Sequence, residues 1–378
     1  MSLTKKSSTA SARVRPVSNG KRKIYFTIGP THTFNGFDKC LDSALKKGIP
    51  SISHRGREFE EVFKHTTSSL KKMLNIPEGF HYFFMGSATE TMERIIENCC
   101  EKESFHFING AFSKRFYQTA VDLKKNAMKF EAPAGEGFDF FRAHIPESAE
   151  VVCFTHNETA TGVSIDMDDV YGLRKSYPDK IFALDIVSSA PTVKVDFTKI
   201  DCAFFSVQKG FGLPAGLGVL LVNDRCIDTA LELQAKGINI GSYHNFPTML
   251  KTEERKNTPE TPNVLAIYEL GYVCDLYNKK GVAKIRKETE AKAKLIYEFL
   301  DSHSELKAFV KKPQWRSKTV IVAETPRGSA DVIKKLSKHG FVVGPGYGEF
   351  KDKQIRIANF PMHEIADVKR MLRVLKNK

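Results

Sequence analysis

Short apolar runs alternate with amphipathic stretches along most of this chain, and that alternation sets the expected elements. An apolar run at 24–28 reads as a strand and stops at Gly29-Pro30. Residues 81–85 read as a strand and 89–100 as a helix. The Val/Ile/Phe-rich runs at 150–154, 181–186, 202–207 and 218–222 have the continuous apolar character of strands covered on both faces, with a helix expected at 170–176. Strands of this kind separated by helices predict an α/β fold with a mainly parallel sheet, whose ligands collect at the carboxyl ends of the strands. From 268 to 300 a long charged amphipathic stretch reads as one linking helix. Strands at 319–322, 341–343 and 355–358 then alternate with a helix at 330–338 and a terminal helix, a smaller α+β unit. The expected division is a leader at 1–23, a large domain at 24–267 and a small C-terminal domain at 268–378, with 24–35 free to pack on the small one.

Composition narrows the class. The 378 residues are 41% hydrophobic and 27% charged, the balance of an ordinary globular protein. No apolar run approaches the ~20 residues of a membrane helix, so no membrane partner is expected. The seven cysteines are scattered without a C-x-x-C pair. That pattern argues against a zinc cage or a disulfide framework and for a reducing, cytoplasmic setting. The net charge of +14 is unevenly spread: Lys5, Lys6, Arg13, Arg15, Lys21, Arg22 and Lys23 supply half of it, and no acid precedes Asp38. Residues 1–23 therefore read as a disordered basic tail, with an organelle transit peptide as the alternative. What remains of the charge suits anionic cofactors and substrates. The body has no recognition motif or aromatic-interleaved basic patch, and no nucleic-acid partner is expected.

Three places carry chemistry. In Phe204-Phe205-Ser206-Val207-Gln208-Lys209-Gly210 an apolar strand runs into a lysine and a glycine-rich turn. Partial desolvation there disfavours the ammonium form and leaves an amine able to form an imine. Upstream, Asp185 ends another apolar run. A carboxylate at one strand end and a lysine at the next are the pair that pyridoxal 5′-phosphate (PLP) chemistry uses, the acid keeping the pyridine nitrogen protonated. Taken singly, Asp185 also fits a turn or helix cap, and Lys209 a surface loop. Gly86-Ser87-Ala88-Thr89 joins a strand to a helix, where N–H groups and a helix N-terminus suit a phosphate or serve as a plain cap.

Together these residues resemble the class V aminotransferases of PLP fold type I, and among them most nearly the phosphoserine aminotransferases. The resemblance runs from about Thr27 to Asn359. It implies that Lys209 is the Schiff-base lysine, with Gln208 beside it, and that Asp185 is the pyridine aspartate. By the same likeness Thr159, in Asn157-Glu158-Thr159, bonds the cofactor's phenolic oxygen. Ser87 and Ala88 line the phosphate cradle. Asn257 and Thr258 reach the phosphate of a neighbouring subunit, which implies a homodimer with shared sites. His54 and Arg55 contact the substrate's phosphate, and Arg356 takes its α-carboxylate. The implied reaction is transamination from glutamate to 3-phosphohydroxypyruvate, a step of serine biosynthesis, with Lys209 as the proton carrier.

The chain departs from that pattern in three places. Phe112, in Gly110-Ala111-Phe112-Ser113, stands where a tryptophan usually stacks on the ring. The segment 86–89 lacks an arginine that many members carry. Gly346-Tyr347-Gly348-Glu349 replaces an upstream His-Arg pair. These lost cations leave room for a serine– or alanine–glyoxylate type of enzyme. A cysteine desulfurase-like lyase ranks lower, since Gln208 stands where those carry a histidine. A nucleic-acid-binding role through the basic leader ranks last.

Overall fold

The computed structural model describes residues 23–376, so the basic leader lies almost wholly outside the described residues. Seven strands form the large sheet in the order Phe80–Met85, Gly218–Asn223, Cys202–Ser206, Ile181–Asp185, Val151–Thr155, Glu103–Ile108 and Asn126–Glu131. Only Gly218–Asn223 runs antiparallel to its neighbours, because it returns directly from Cys202–Ser206 through the turn that carries Lys209. The three central strands are buried along their whole length. Alternate side chains serve opposite faces: Phe205 packs in the core on one side of the sheet and Phe204 in that on the other.

Helices Ala88–Cys99, Asp224–Ala235 and Phe246–Glu254 contribute buried residues to the Phe204 side. On the Phe205 side lie Arg57–Leu74 and Val264–Lys280. Those two helices approach closely at Gly271, where an added Cβ would lie 2.6 Å from the Thr66 hydroxyl oxygen. Thr66 in turn donates to the Ile267 carbonyl at 2.9 Å.

A second, five-stranded sheet has the order Ile24–Phe26, Phe341–Pro345, Gln354–Ala358, Val320–Glu324, Lys307–Ala308. Ile24–Phe26 pairs in parallel with Phe341–Pro345, and the other neighbours are antiparallel. Its core is closed by Val282–Ser302 and Ile365–Lys376.

The single linking helix expected over 268–300 is two helices, Val264–Lys280 and Val282–Ser302. Gly281, at φ 86° and ψ 119°, separates them, a conformation costly for a residue with a Cβ. Strands Glu103–Ile108 and Asn126–Glu131 were not expected. Asn126–Glu131 is an edge strand with no fully buried position and two charged side chains, so it lacks the apolar signal of its neighbours. No helix among the described residues is long and apolar enough to cross a membrane.

Candidate active site

The parallel register brings the chemistry to one edge of the large sheet. Thr155 pairs with Asp185 and Asp185 with Phe204, so Asn157-Glu158-Thr159, Asp185 and Lys209 all follow the same carboxyl ends. The glycines after Lys209 make room for the protein itself. A Cβ on Gly210 would lie 1.9 Å from the Ala190 carbonyl oxygen, and one on Gly212 would lie 2.7 Å from the Phe34 nitrogen. Gly212 also has a φ of 63°. The turn is thus pinned from behind, and Lys209 is held against the sheet edge.

Lys209 is 7% exposed. Its Nζ donates to Thr159 Oγ1 at 3.0 Å and lies 5.0 Å from the centre of the Phe112 ring. Burial pushes this amine well below its ordinary pKa, while Asp185 and Glu158 pull it back up and Arg356 lowers it further. Asp185, 3% exposed, shifts the other way: burial raises its carboxyl, against the Val187 N–H (2.8 Å to Oδ1) and Lys209. Each of the two groups is thus drawn toward its neutral form for want of water. A pyridinium facing Asp185 and a carbonyl carbon facing Lys209 would relieve both.

Glu158 is the best-anchored acid of the site. It is fully buried, and its Oε2 accepts from the Phe112 N–H at 3.0 Å and the Ser113 N–H at 2.9 Å. It also accepts from the Ser113 hydroxyl at 2.9 Å and, at Oε1, from the Ala160 N–H at 3.0 Å. A carboxylate at the start of helix Ala111–Asp122 meets the positive end of the helix dipole. Arg356 enters from the small sheet, paired with Val322 and Gly344. Its Nε donates to the Pro345 carbonyl at 2.9 Å and its Nη1 to that of Thr159 at 3.4 Å. The ring of Tyr347 lies 5.3 Å from the Arg356 guanidinium and 5.6 Å from the Phe112 ring. Neither Glu158 nor Tyr347 was expected from the sequence to take part, although both lie inside the segments Asn157-Glu158-Thr159 and Gly346-Tyr347-Gly348-Glu349.

The strand-to-helix turn at Gly86–Ala88 is already partly satisfied. Gly86 donates its N–H to Glu90 Oε2 at 2.9 Å, and Ala88 donates to Ser206 Oγ at 3.0 Å. The Ser87 hydroxyl accepts from the Glu90 N–H at 3.1 Å. The N–H groups of Ser87 and Thr89 are left without a protein acceptor among the described residues. Gln208 offers a buried Oε1 with no partner.

Asn257, Thr258, His54 and Arg55 are not drawn into hydrogen bonds with Lys209 or Asp185. Thr258 N–H and Asn257 Oδ1 bond each other at 2.8 Å, and the Thr258 hydroxyl donates to the Glu260 carbonyl at 2.8 Å. Arg55 reaches the same segment, donating from Nη2 to the Pro259 carbonyl at 3.3 Å. His54 Nε2 is buried and unpartnered.

The residues fit PLP: a buried lysine and aspartate with opposed, solvent-starved ionisations, an aromatic face, and N–H donors at a helix start. Comparison with known proteins agrees. The family model described as Aminotransferase class-V matches residues 47–373. A phosphoserine aminotransferase of Rhodococcus opacus is 25% identical over 340 residues, spanning 88% of this chain and 89% of its own. An uncharacterized aminotransferase of Methanocaldococcus jannaschii is 27% identical over 329 residues and covers 82% of each. A crystal structure described as a phosphoserine aminotransferase of Cytophaga hutchinsonii superposes with a TM-score of 0.93 at 45% identity, covering 94% of this chain and 99% of that one. With the match spanning most of its length and the lysine–aspartate site at the sheet edge, the chain belongs to the class V aminotransferases, PLP-dependent enzymes of fold type I.

Proposed function

We propose that this chain transfers the amino group between phosphoserine and 2-oxoglutarate, the serine-biosynthetic reaction run through 3-phosphohydroxypyruvate. The observation that carries the reading is the convergence of Lys209, Thr159, Phe112, Asp185 and Arg356, on a fold shared at 45% identity with a protein described as a phosphoserine aminotransferase. Bound PLP supplies an acceptor for the electrons of the substrate's Cα–H bond. The chain's residues do the rest. Lys209 would hold the cofactor through its amine. Its Nζ, which burial favours as the neutral base, would take a proton from the substrate's Cα and return it as an acid. Asp185 would keep the pyridine nitrogen protonated. Thr159 would orient the phenolic oxygen, and Phe112 would offer its ring to one face of the pyridine. Arg356, its Nε fixed on Pro345, presents its remaining donors to the α-carboxylate.

The proposal extends to a homodimer. Arg55 and the 257–259 segment share one patch, which supports their acting together on the site of a second copy. Seven buried, unpaired thiols support a reducing, cytoplasmic setting. The chain divides into a large and a smaller unit, and the packing of Val264–Lys280 on Arg57–Leu74 supports placing the division at Gly281 rather than at 267.

A second reading, transamination of an unphosphorylated amino acid with glyoxylate, is favoured by Tyr347, an uncharged ring beside Arg356. The test is kcat/KM for phosphoserine with 2-oxoglutarate against serine and alanine with glyoxylate. A preference for phosphoserine of about a hundredfold, the scale of one strong charge-assisted hydrogen bond, is expected. Equal or better turnover of serine or alanine overturns the proposal in favour of the second reading.

A further inference from the structure

His244 lies between two carboxylates. Its Nδ1 meets Glu90 Oε1, and its Nε2 lies 2.8 Å from Glu260 Oε2. The residue is 5% exposed, and the ring of Tyr243 packs on it with centroids 4.1 Å apart. An ionised carboxylate only accepts, so two such partners require a proton on both ring nitrogens, which makes the ring an imidazolium. Burial lowers the pKa of His244, but the hydrogen bonds and charges of Glu260 and Glu90 outweigh it and raise the value to about 9. Arg94, on the same helix, also acts on Glu90 and is itself paired with Glu93 and, at 2.9 Å, with Glu97. Arg94 adds to the cationic influence on Glu90, whose carboxyl is held below its ordinary value despite burial.

The two carboxylates belong to two different functional segments. Glu90 Oε2 accepts the Gly86 N–H, which places its negative charge on the turn read above as the phosphate cradle. Glu260 follows Asn257-Thr258-Pro259 directly, and its own carbonyl holds the Thr258 hydroxyl. A bare carboxylate at the cradle would repel a phosphate dianion.

We propose that His244 is a positioning residue for the cofactor's phosphate: its imidazolium offsets the charge of Glu90 at the Gly86–Ala88 turn and ties that turn to residues 257–260. This rests on the reading of the turn as the cradle. His244 acts through Glu90 and Glu260 rather than by touching cofactor or substrate.

The test uses the full-length apoprotein, titrated by calorimetry with pyridoxamine 5′-phosphate, which cannot form an imine with Lys209, and with pyridoxamine. At pH 7.5 His244→Gln should weaken the phosphorylated ligand by about tenfold, the scale of one uncompensated charge a few ångströms away. Pyridoxamine should be unaffected. The double variant Glu90→Gln/His244→Gln should recover wild-type affinity to within about threefold, since the charge that needed offsetting is gone. The gap between wild type and His244→Gln should close as pH rises through about 9, where the wild-type ring loses its proton. Equal losses for both ligands, no recovery in the double variant, or a gap independent of pH would each overturn the proposal. Ser87→Asp separates the two layers: if it leaves the affinity for pyridoxamine 5′-phosphate unchanged, the cradle reading itself fails.

Discussion

The buried carboxylate of Glu158 holds Phe112 by its backbone, accepting the Phe112 N–H at 3.0 Å while the Phe112 ring lies 5.0 Å from Lys209 Nζ. One acid thus fixes both the aromatic face of the site and, through its chain neighbour Thr159, the hydroxyl that meets Lys209. Glu158→Gln keeps the shape but turns one acceptor into a donor that faces other donors. A loss of about 1.5–3 kcal/mol in unfolding free energy is expected, the range for hydrogen bonds to a charged group. Denaturant titration measures it, and PLP should be retained less tightly in the same variant.

Gly110→Ala tests the same anchor sterically. Its Cβ would lie 2.3 Å from Glu158 Cγ, so either the acid or the helix start must move. Overpacking of this kind costs about 1–3 kcal/mol. Because Phe112 moves with the helix start, the absorbance of the bound cofactor should shift as well.

Lys209→Ala removes the amine that we assign to both cofactor attachment and proton transfer. Borohydride should no longer fix the cofactor to the chain, and turnover should fall by about 10²–10⁴-fold or more, the usual contribution of a positioned acid–base group. Undiminished turnover would remove Lys209 from the centre of the site.

Arg356→Lys keeps the charge and loses the planar fork. The KM of the amino donor should rise by about 10–100-fold, equivalent to one charged hydrogen bond, with a smaller change in kcat. Steady-state kinetics with the donor varied decides it.

Away from the site, Glu269 is buried to 3% exposure, and burial raises its carboxyl from the ordinary 4.5 to about 7. Between those values the folded chain keeps a proton that the unfolded chain has released. Its contribution to stability is therefore present below pH 4.5 and is lost as pH rises through about 7. Glu269→Gln should raise the thermal midpoint at pH 8 and leave it nearly unchanged at pH 4.5, as a pair of melting curves would show.

The central strands were legible in the sequence because they are buried on both faces and carry unbroken apolar runs, as in Cys202–Ser206. Asn126–Glu131 was not, since an exposed edge imposes no such pattern. Lys209 and Asp185 were legible because one stands just past the end of a strand and the other closes one, and Thr159 through the family motif Asn157-Glu158-Thr159. Glu158 gave no comparable signal: its importance comes from three donors on another helix, and such contacts leave no local trace. The glycines after Lys209 show the opposite failure. Their presence was plain, but their purpose, clearance for Ala190 and Phe34, depends on backbone distant in the chain.

The pairing of Ile24–Phe26 with Phe341–Pro345 carries a consequence for how the chain is made. Ile24–Phe26, the first strand among the described residues, finds its neighbour only once a segment more than three hundred residues further along the chain has been synthesised. Until then its backbone donors and acceptors stay open while the large sheet assembles behind it. A closure this distant in sequence is slow, and an unpaired strand invites pairing with other chains in the meantime. Ribosome-bound chains stopped before residue 341 should therefore be the aggregation-prone species of this protein, and completion of the small sheet the step that ends their exposure.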